Sequence, residues 1–145
     1  MRSWFAALAL VLAGGTPAQA RLVDERSFCD TLRWLLVAAR ERPAFGAIGP
    51  RNLGRAARGL GFEACRIDPG LYGSRLVCRR RSSPAYPTGP RLELRVANCL
   101  PEALRMSEPD GSPLARFRLG TLALHIDSGS VDTFLMLFSL PVERR

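Results

Sequence analysis

The sequence predicts an α+β domain in which an N-terminal helix and a short second helix pack on an antiparallel sheet of about five strands, stabilised by disulfides. Three observations support this fold class. Apolar residues recur every three or four positions early in the chain, polar and apolar residues alternate between turn signals later, and four cysteines are present.

The first twenty residues have the features of a cleavable secretory signal. Arg2 precedes an apolar run over residues 5–15, and Ala18-Gln19-Ala20 is an A-x-A cleavage sequence. That run of about 11 residues is too short to span a bilayer, which takes roughly 20 residues in a helix. We therefore expect cleavage after Ala20 and export to the periplasm or the extracellular space. The mature chain, residues 21–145, is expected to form one disulfide-bonded domain that does not span a membrane.

Two helices are expected in the mature chain. The first covers residues 24–42, and Pro43 follows it. One face of this helix is apolar and consists of Phe28, Leu32, Leu35, Leu36 and Ala39. The second begins at Pro50 and runs to about Leu60, with Gly59 and Gly61 available to end it.

The remaining segments favour strands. Residues 62–67 and 74–79 predict a hairpin around the turn formers of residues 68–73. Strict alternation over residues 91–96 predicts a half-buried strand, and a turn or short helix is expected at 101–106. Further strands are predicted at 116–118, 121–127 and 131–140. The last of these is apolar on both faces, which predicts a place near the middle of the sheet with something covering each side.

The four cysteines predict two structural disulfides, because the count is even and the domain is expected to be exported. A hairpin about residues 68–73 places Cys65 opposite Cys78, close enough for a bridge. Cys29 and Cys99 then tie the first helix to a later strand. The alternative pairing, Cys29 with Cys65 and Cys78 with Cys99, stays open at this point. The spacings contain no C-x-x-C, which argues against a zinc cluster or a redox pair.

The charge of the chain is strongly basic and comes from arginine alone. All 21 basic residues are arginine, and 20 of them lie in the mature chain against 13 acids. A GC-rich coding sequence accounts for part of this bias, yet attraction to anionic surfaces follows from the charge itself. Export makes nucleic acid an improbable partner.

Two arginine clusters are candidate sites. Arg51, Arg55 and Arg58 recur on the polar face of the second predicted helix and form a possible anion-binding stripe, although charged helix faces are commonly just solvated. Arg79, Arg80 and Arg81 precede a loop over residues 82–90 that carries Tyr86. Arginine and tyrosine on such a loop are favoured contact residues at protein interfaces, and the same features describe an ordinary hairpin end.

Catalytic patterns are absent from the sequence. It contains no G-x-S-x-G, no phosphate-binding G-x-x-x-x-G-K and no H-E-x-x-H, and we predict no catalytic residue, no metal site and no cofactor. His125, the only histidine, is expected to point away from Leu124 and Ile126 and to lack the companions that a metal site or a triad needs. Four acids are the candidates for carboxylates that meet only in the fold: Glu93, Asp110, Asp127 and Asp132.

Three functional hypotheses follow. The leading one is an exported, non-catalytic binding or accessory module that engages an anionic envelope component or a protein partner. The second is an inhibitor or chaperone-like partner of another exported protein, acting through residues 82–90. The third is a hydrolase that uses paired carboxylates.

Overall fold

Within the described residues, six strands form a single antiparallel sheet in the order β1-β2-β6-β5-β4-β3. The computed structural model describes residues 17–82, 89–107 and 114–141. Its strands are β1 (Ala64–Asp68), β2 (Arg75–Arg81), β3 (Leu104–Met106), β4 (Leu114–Leu119), β5 (Leu122–Ser128) and β6 (Asp132–Ser139). The helices are α1 (Pro17–Arg40), α2 (Pro50–Leu60) and α3 (Gly89–Cys99). The predicted α+β class is confirmed, with six strands where about five were expected.

The three helices lie on one face of the sheet, which we call the inner face. α1 packs on β5 and β6, α2 on β1 and α1, and α3 on α1 and β5. Because side chains alternate across a strand, every second residue of the central strands enters this core. The inner-face core residues of the four central strands are Leu76, Cys78, Leu135, Leu137, Leu122, Leu124, Ile126, Phe117 and Leu119.

The first two helices largely match the prediction. α2 has the expected bounds, and α1 ends at Arg40, two residues before the expected end. α1 begins at Pro17, so that its first four residues belong to the predicted signal peptide. Residues 1–16 of that peptide lie outside the described residues, and cleavage after Ala20 stays a prediction. Within the described part of the chain, no helix has the length and apolar character needed to cross a membrane.

The strand predicted over residues 91–96 is wrong, because this segment belongs to α3. In a strand, Leu92, Leu94 and Val96 would share one face. In the structure Leu92 and Val96 are fully buried, whereas Leu94 is 61% exposed. The buried residues continue with Cys99, and this four-then-three spacing is that of a helix. Pro90 near the start of the segment also favours a helix.

Two further expectations about the sheet are corrected. Residues 104–106, expected in a turn or short helix, form the edge strand β3 paired with β4. β6 is third of the six strands, as its apolar run predicted, but only one of its faces is covered by the described helices. Its other face presents Phe134, Met136 and Phe138, which are half-buried. We call this second side of the sheet the outer face.

Two disulfides connect the described elements, and they are the pairs favoured by the hairpin argument. Cys65 and Cys78 are directly opposed in the β1–β2 hairpin, and Ile67 is opposed to Leu76, as expected. Cys29 and Cys99 join α1 to α3, so this bridge links two helices and not a helix to a strand as predicted. Arg33 adds a hydrogen bond to the carbonyl oxygen of Cys99 at 3.1 Å. Disulfides of this kind suggest an oxidising environment.

We expect the two bridges to stabilise the domain unequally. Loop-closure entropy in the unfolded chain assigns about 4 kcal/mol to the Cys29–Cys99 bridge and about 3 kcal/mol to the Cys65–Cys78 bridge, whose sequence separations are 70 and 13. Paired Cys→Ala substitutions should therefore lower the free energy of unfolding more for the first bridge, as measured by urea denaturation. A larger loss for the hairpin bridge would contradict this order.

Candidate anion-binding surface

α2 is defined by strong local signals at both ends. Pro50 occupies the first turn after an extended Gly49. Gly61 adopts the left-handed conformation with φ of 73°, its N–H donates to the carbonyl of Arg58, and the Phe62 N–H donates to the carbonyl of Ala57. This is the Schellman arrangement that ends many helices.

The packing of α2 against α1 depends on a glycine. A Cβ atom placed on Gly59 would lie 2.1 Å from Oγ1 of Thr31 in α1, so only glycine allows the two helices to approach this closely. On the same side, Ala56, Ala57 and Leu60 are buried. These contacts fix the rotation of α2 about its axis, and with it the direction of its polar face.

That polar face carries Arg51, Arg55 and Arg58, and all three are exposed. We call these three residues the α2 arginine face. α2 contains no acidic residue, and none of the three arginines forms an ion pair within the described part of the chain. Like charges spaced four and three residues apart on a helix repel by a few tenths of a kcal/mol per pair, and a bound anion removes that repulsion.

The side chain of Arg58 lies back along the helix. Its Nη1 atom is 3.6 Å from the position that a Cβ atom on Gly54 would occupy. The guanidinium of Arg58 therefore lies at the level of residue 54, between the levels of Arg51 and Arg55. The three arginines of the predicted stripe thus share one cationic face of α2.

The second arginine cluster is divided by the alternation of β2. Arg79 lies on the outer face and pairs with Asp132 at 3.1 Å, and Arg81 is exposed. Arg80 points to the inner face and is 1% exposed. Only Arg79 and Arg81 of this cluster are therefore available at the surface. Tyr86 and residues 83–88 of the predicted interface loop lie outside the described residues.

The contacts of the Arg80 side chain indicate a structural role. Its guanidinium lies over the ring of Phe62, 4.9 Å from the ring centroid, and its Nη1 donates to the carbonyl oxygen of Gly61 at 3.3 Å. Gly61 and Phe62 are the two residues that close α2. Arg80 thus connects the end of α2 to β2, as a buried charge with a hydrogen bond and an aromatic neighbour.

The remaining candidates lie on the two sides of the sheet. His125 lies on the outer face, away from Leu124 and Ile126 as expected, with its ring edge-on to Phe138 at 4.7 Å between centroids. Asp127 and Asp132 share the outer face with it, whereas Glu93 is on α3 and pairs with Arg105. Asp110 lies outside the described residues. The described part of the chain contains no group of three or more metal-ligating side chains.

One exposed feature was missed by the sequence reasoning, which treated residues 68–73 only as a turn. Leu71 is 92% exposed and Tyr72 is 59% exposed at the tip of the β1–β2 hairpin. The available signal was the placement of two large apolar residues between Gly70 and Gly73, where turns ordinarily have polar residues.

The fold and this surface define an α+β domain with two disulfides and a basic helix face. Comparison of the chain with known protein families, with curated proteins and with solved structures finds no match in any of the three.

We expect Arg80 to contribute to stability far more than its neighbour in the sequence. Arg80→Ala should lower the free energy of unfolding by about 2–4 kcal/mol, because it leaves a cavity beside Phe62 and removes a donor from Gly61. Arg81→Ala, at an exposed position, should change it by less than about 0.5 kcal/mol. Urea denaturation of both variants measures the difference. Equal effects would contradict a structural role for Arg80.

Proposed function

We propose that this protein is an exported, non-catalytic binding module whose α2 arginine face engages an anionic component of the cell envelope. The observation that carries the proposal is the exposure of Arg51, Arg55 and Arg58 on one helix face, where none of them pairs with an acid among the described residues. Guanidinium groups bind phosphate, sulfate and carboxylate through paired hydrogen bonds, which suits them to such ligands.

Three of the other arginines are offset by acids, whereas exposed arginines such as Arg26, Arg91 and Arg118 lie singly on different elements. Arg66 pairs with Asp68, Arg79 with Asp132 and Arg105 with Glu93. In contrast, the α2 arginine face keeps its full charge of three. Its guanidinium groups are therefore available to a polyanion, which has no ion pair to break within the described part of the chain.

The location of the protein is part of the proposal. The apolar N-terminal run with its A-x-A sequence favours secretion, and two disulfides are compatible with the periplasm or the extracellular space. In those compartments the abundant polyanions include phospholipid headgroups and acidic polysaccharides, while nucleic acid is a poor candidate.

The test replaces the three arginines of the α2 arginine face and compares this variant with a control variant that loses the same number of charges elsewhere. Arg51→Gln/Arg55→Gln/Arg58→Gln should weaken binding to anionic phospholipid vesicles or to an acidic polysaccharide by about tenfold or more, since a basic residue near such a surface contributes about 1 kcal/mol. The control is Arg26→Gln/Arg91→Gln/Arg118→Gln, which removes three exposed arginines from α1, α3 and β4. Binding of the control variant should fall by less than about threefold, because the charges it lacks lie outside the proposed surface and act on the ligand only at a distance.

Salt provides an independent readout of the same proposal. Binding of the unmodified protein should fall steeply between about 0.05 and 0.5 M salt, because screening shortens the range of the interaction. Binding that is unchanged over this range, or equal losses in the two triple variants, would overturn the proposal.

A further inference from the structure

The tip of the β1–β2 hairpin exposes two large apolar side chains on a braced support. Gly73 donates to the carbonyl oxygen of Gly70 at 3.4 Å, which places Leu71 and Tyr72 at the two central positions of a tight turn. The strands below the turn are joined by the Cys65–Cys78 disulfide. The pair is therefore held away from the core by a cross-linked hairpin.

Both glycines are required by this turn. A Cβ atom on Gly70 would lie 2.5 Å from the carbonyl oxygen of Gly73, and Gly73 itself has a φ of 115°. Such a turn tolerates polar central residues well, so nothing in its backbone geometry demands leucine and tyrosine. Two adjacent large apolar side chains exposed at a convex tip are a candidate contact surface.

The charges near the tip are complementary to an anionic surface. Arg66 forms an ion pair with Asp68, with 2.9 Å between Nε and Oδ1. Arg75, the first residue of β2, is exposed and has no ion pair within the described part of the chain. The base of the turn is therefore positively charged.

The α2 arginine face lies beside this hairpin. Residues 61–63 join α2 to β1, and the two elements pack on each other, so they run in opposite directions along the molecule. The start of α2, with Arg51, is consequently directed toward the end of β1 at which the hairpin turns. The hairpin turn and the first turn of α2 therefore lie at the same end of this helix–strand pair.

We infer that the β1–β2 tip inserts Leu71 and Tyr72 into the interfacial zone of an anionic phospholipid membrane while the neighbouring arginines bind its headgroups. Tyrosine is favoured at that depth because its ring is apolar and its hydroxyl can stay hydrated. A membrane is preferred to a protein pocket because the surface here is convex and carries its charge beside the apolar tip, as interfacial segments do. This inference rests on the proposed function and narrows its anionic partner to a lipid surface.

The first experiment measures vesicle binding of tip variants of the exported protein. Leu71→Ser/Tyr72→Ser should weaken binding to vesicles of mixed neutral and anionic phospholipid by about tenfold or more, the factor expected for losing the burial of one large apolar side chain. Leu94→Gln/Val131→Ser is the matched control, because it removes two other exposed apolar side chains, on α3 and just before β6. The control should bind as the unmodified protein does.

The second experiment reports insertion directly. In the mature chain, residues 21–145, Trp34 is the only tryptophan. In a Trp34→Phe background of that chain, the emission of Tyr72→Trp should shift to the blue on adding anionic vesicles and should be quenched by lipids brominated near the headgroup end of the acyl chain. Unshifted emission from the bound protein would overturn insertion.

The outcomes separate this inference from the proposed function. If the tip variant binds vesicles normally while the α2 arginine variant does not, the tip inference is wrong and the proposed function stands. The tip inference is equally wrong if the protein binds only an acidic polysaccharide, or if the tip variant loses a protein partner but no lipid binding. If the α2 arginine variant binds both vesicles and polysaccharide as well as the unmodified protein does, both proposals are overturned.

Discussion

The packing of α1 across β5 and β6 is the interaction on which the rest of the structure depends. Phe28, Leu32 and Leu35 are fully buried there, and they cover the centre of the inner face. α1 also positions the other two helices. The Cys29–Cys99 bridge and the hydrogen bond from Arg33 hold α3 beside it, and the contact between Thr31 and Gly59 sets its distance from α2. The direction of the α2 arginine face is therefore determined indirectly by the core of α1.

Where local signals agree with the tertiary environment, the sequence predicts this fold well. The hairpin, its disulfide and α2 are all specified by residues within a short span, such as Pro50 and Gly61 at the ends of one helix. α3 shows the opposite case. Alternation over residues 91–96 is compatible with a strand, and the helix is identified by Pro90 near its start and by the burial of Leu92 with Val96 and Cys99 against an exposed Leu94. β3 has three residues and owes its strand conformation to pairing with β4, a contact that local pattern does not encode.

The arginines show how much of a candidate site depends on tertiary structure. Sequence spacing alone predicted the stripe on α2, because helical periodicity separates its polar and apolar faces. It did not distinguish Arg80 from Arg79 and Arg81. A signal was present, since Leu76, Cys78 and Arg80 are two residues apart and must share the inner face of β2. Recognising it required knowing that β2 continues as far as Arg81, and strand ends are poorly marked in the sequence.

The two disulfides close loops of different length, and this difference bears on how the oxidised chain folds. Of the three possible pairings of four cysteines, the native one includes the pair closest in sequence, with a separation of 13. Closing that loop costs about 1.5 kcal/mol less than closing one of 70 residues, so Cys65 and Cys78 meet more often in the unfolded chain. Once they are oxidised, Cys29 has Cys99 as its only remaining intramolecular partner. Early oxidation of the hairpin pair therefore leads toward the native connectivity, whereas early closure of the 21-residue loop between Cys78 and Cys99, which costs only about 0.4 kcal/mol more, leads away from it.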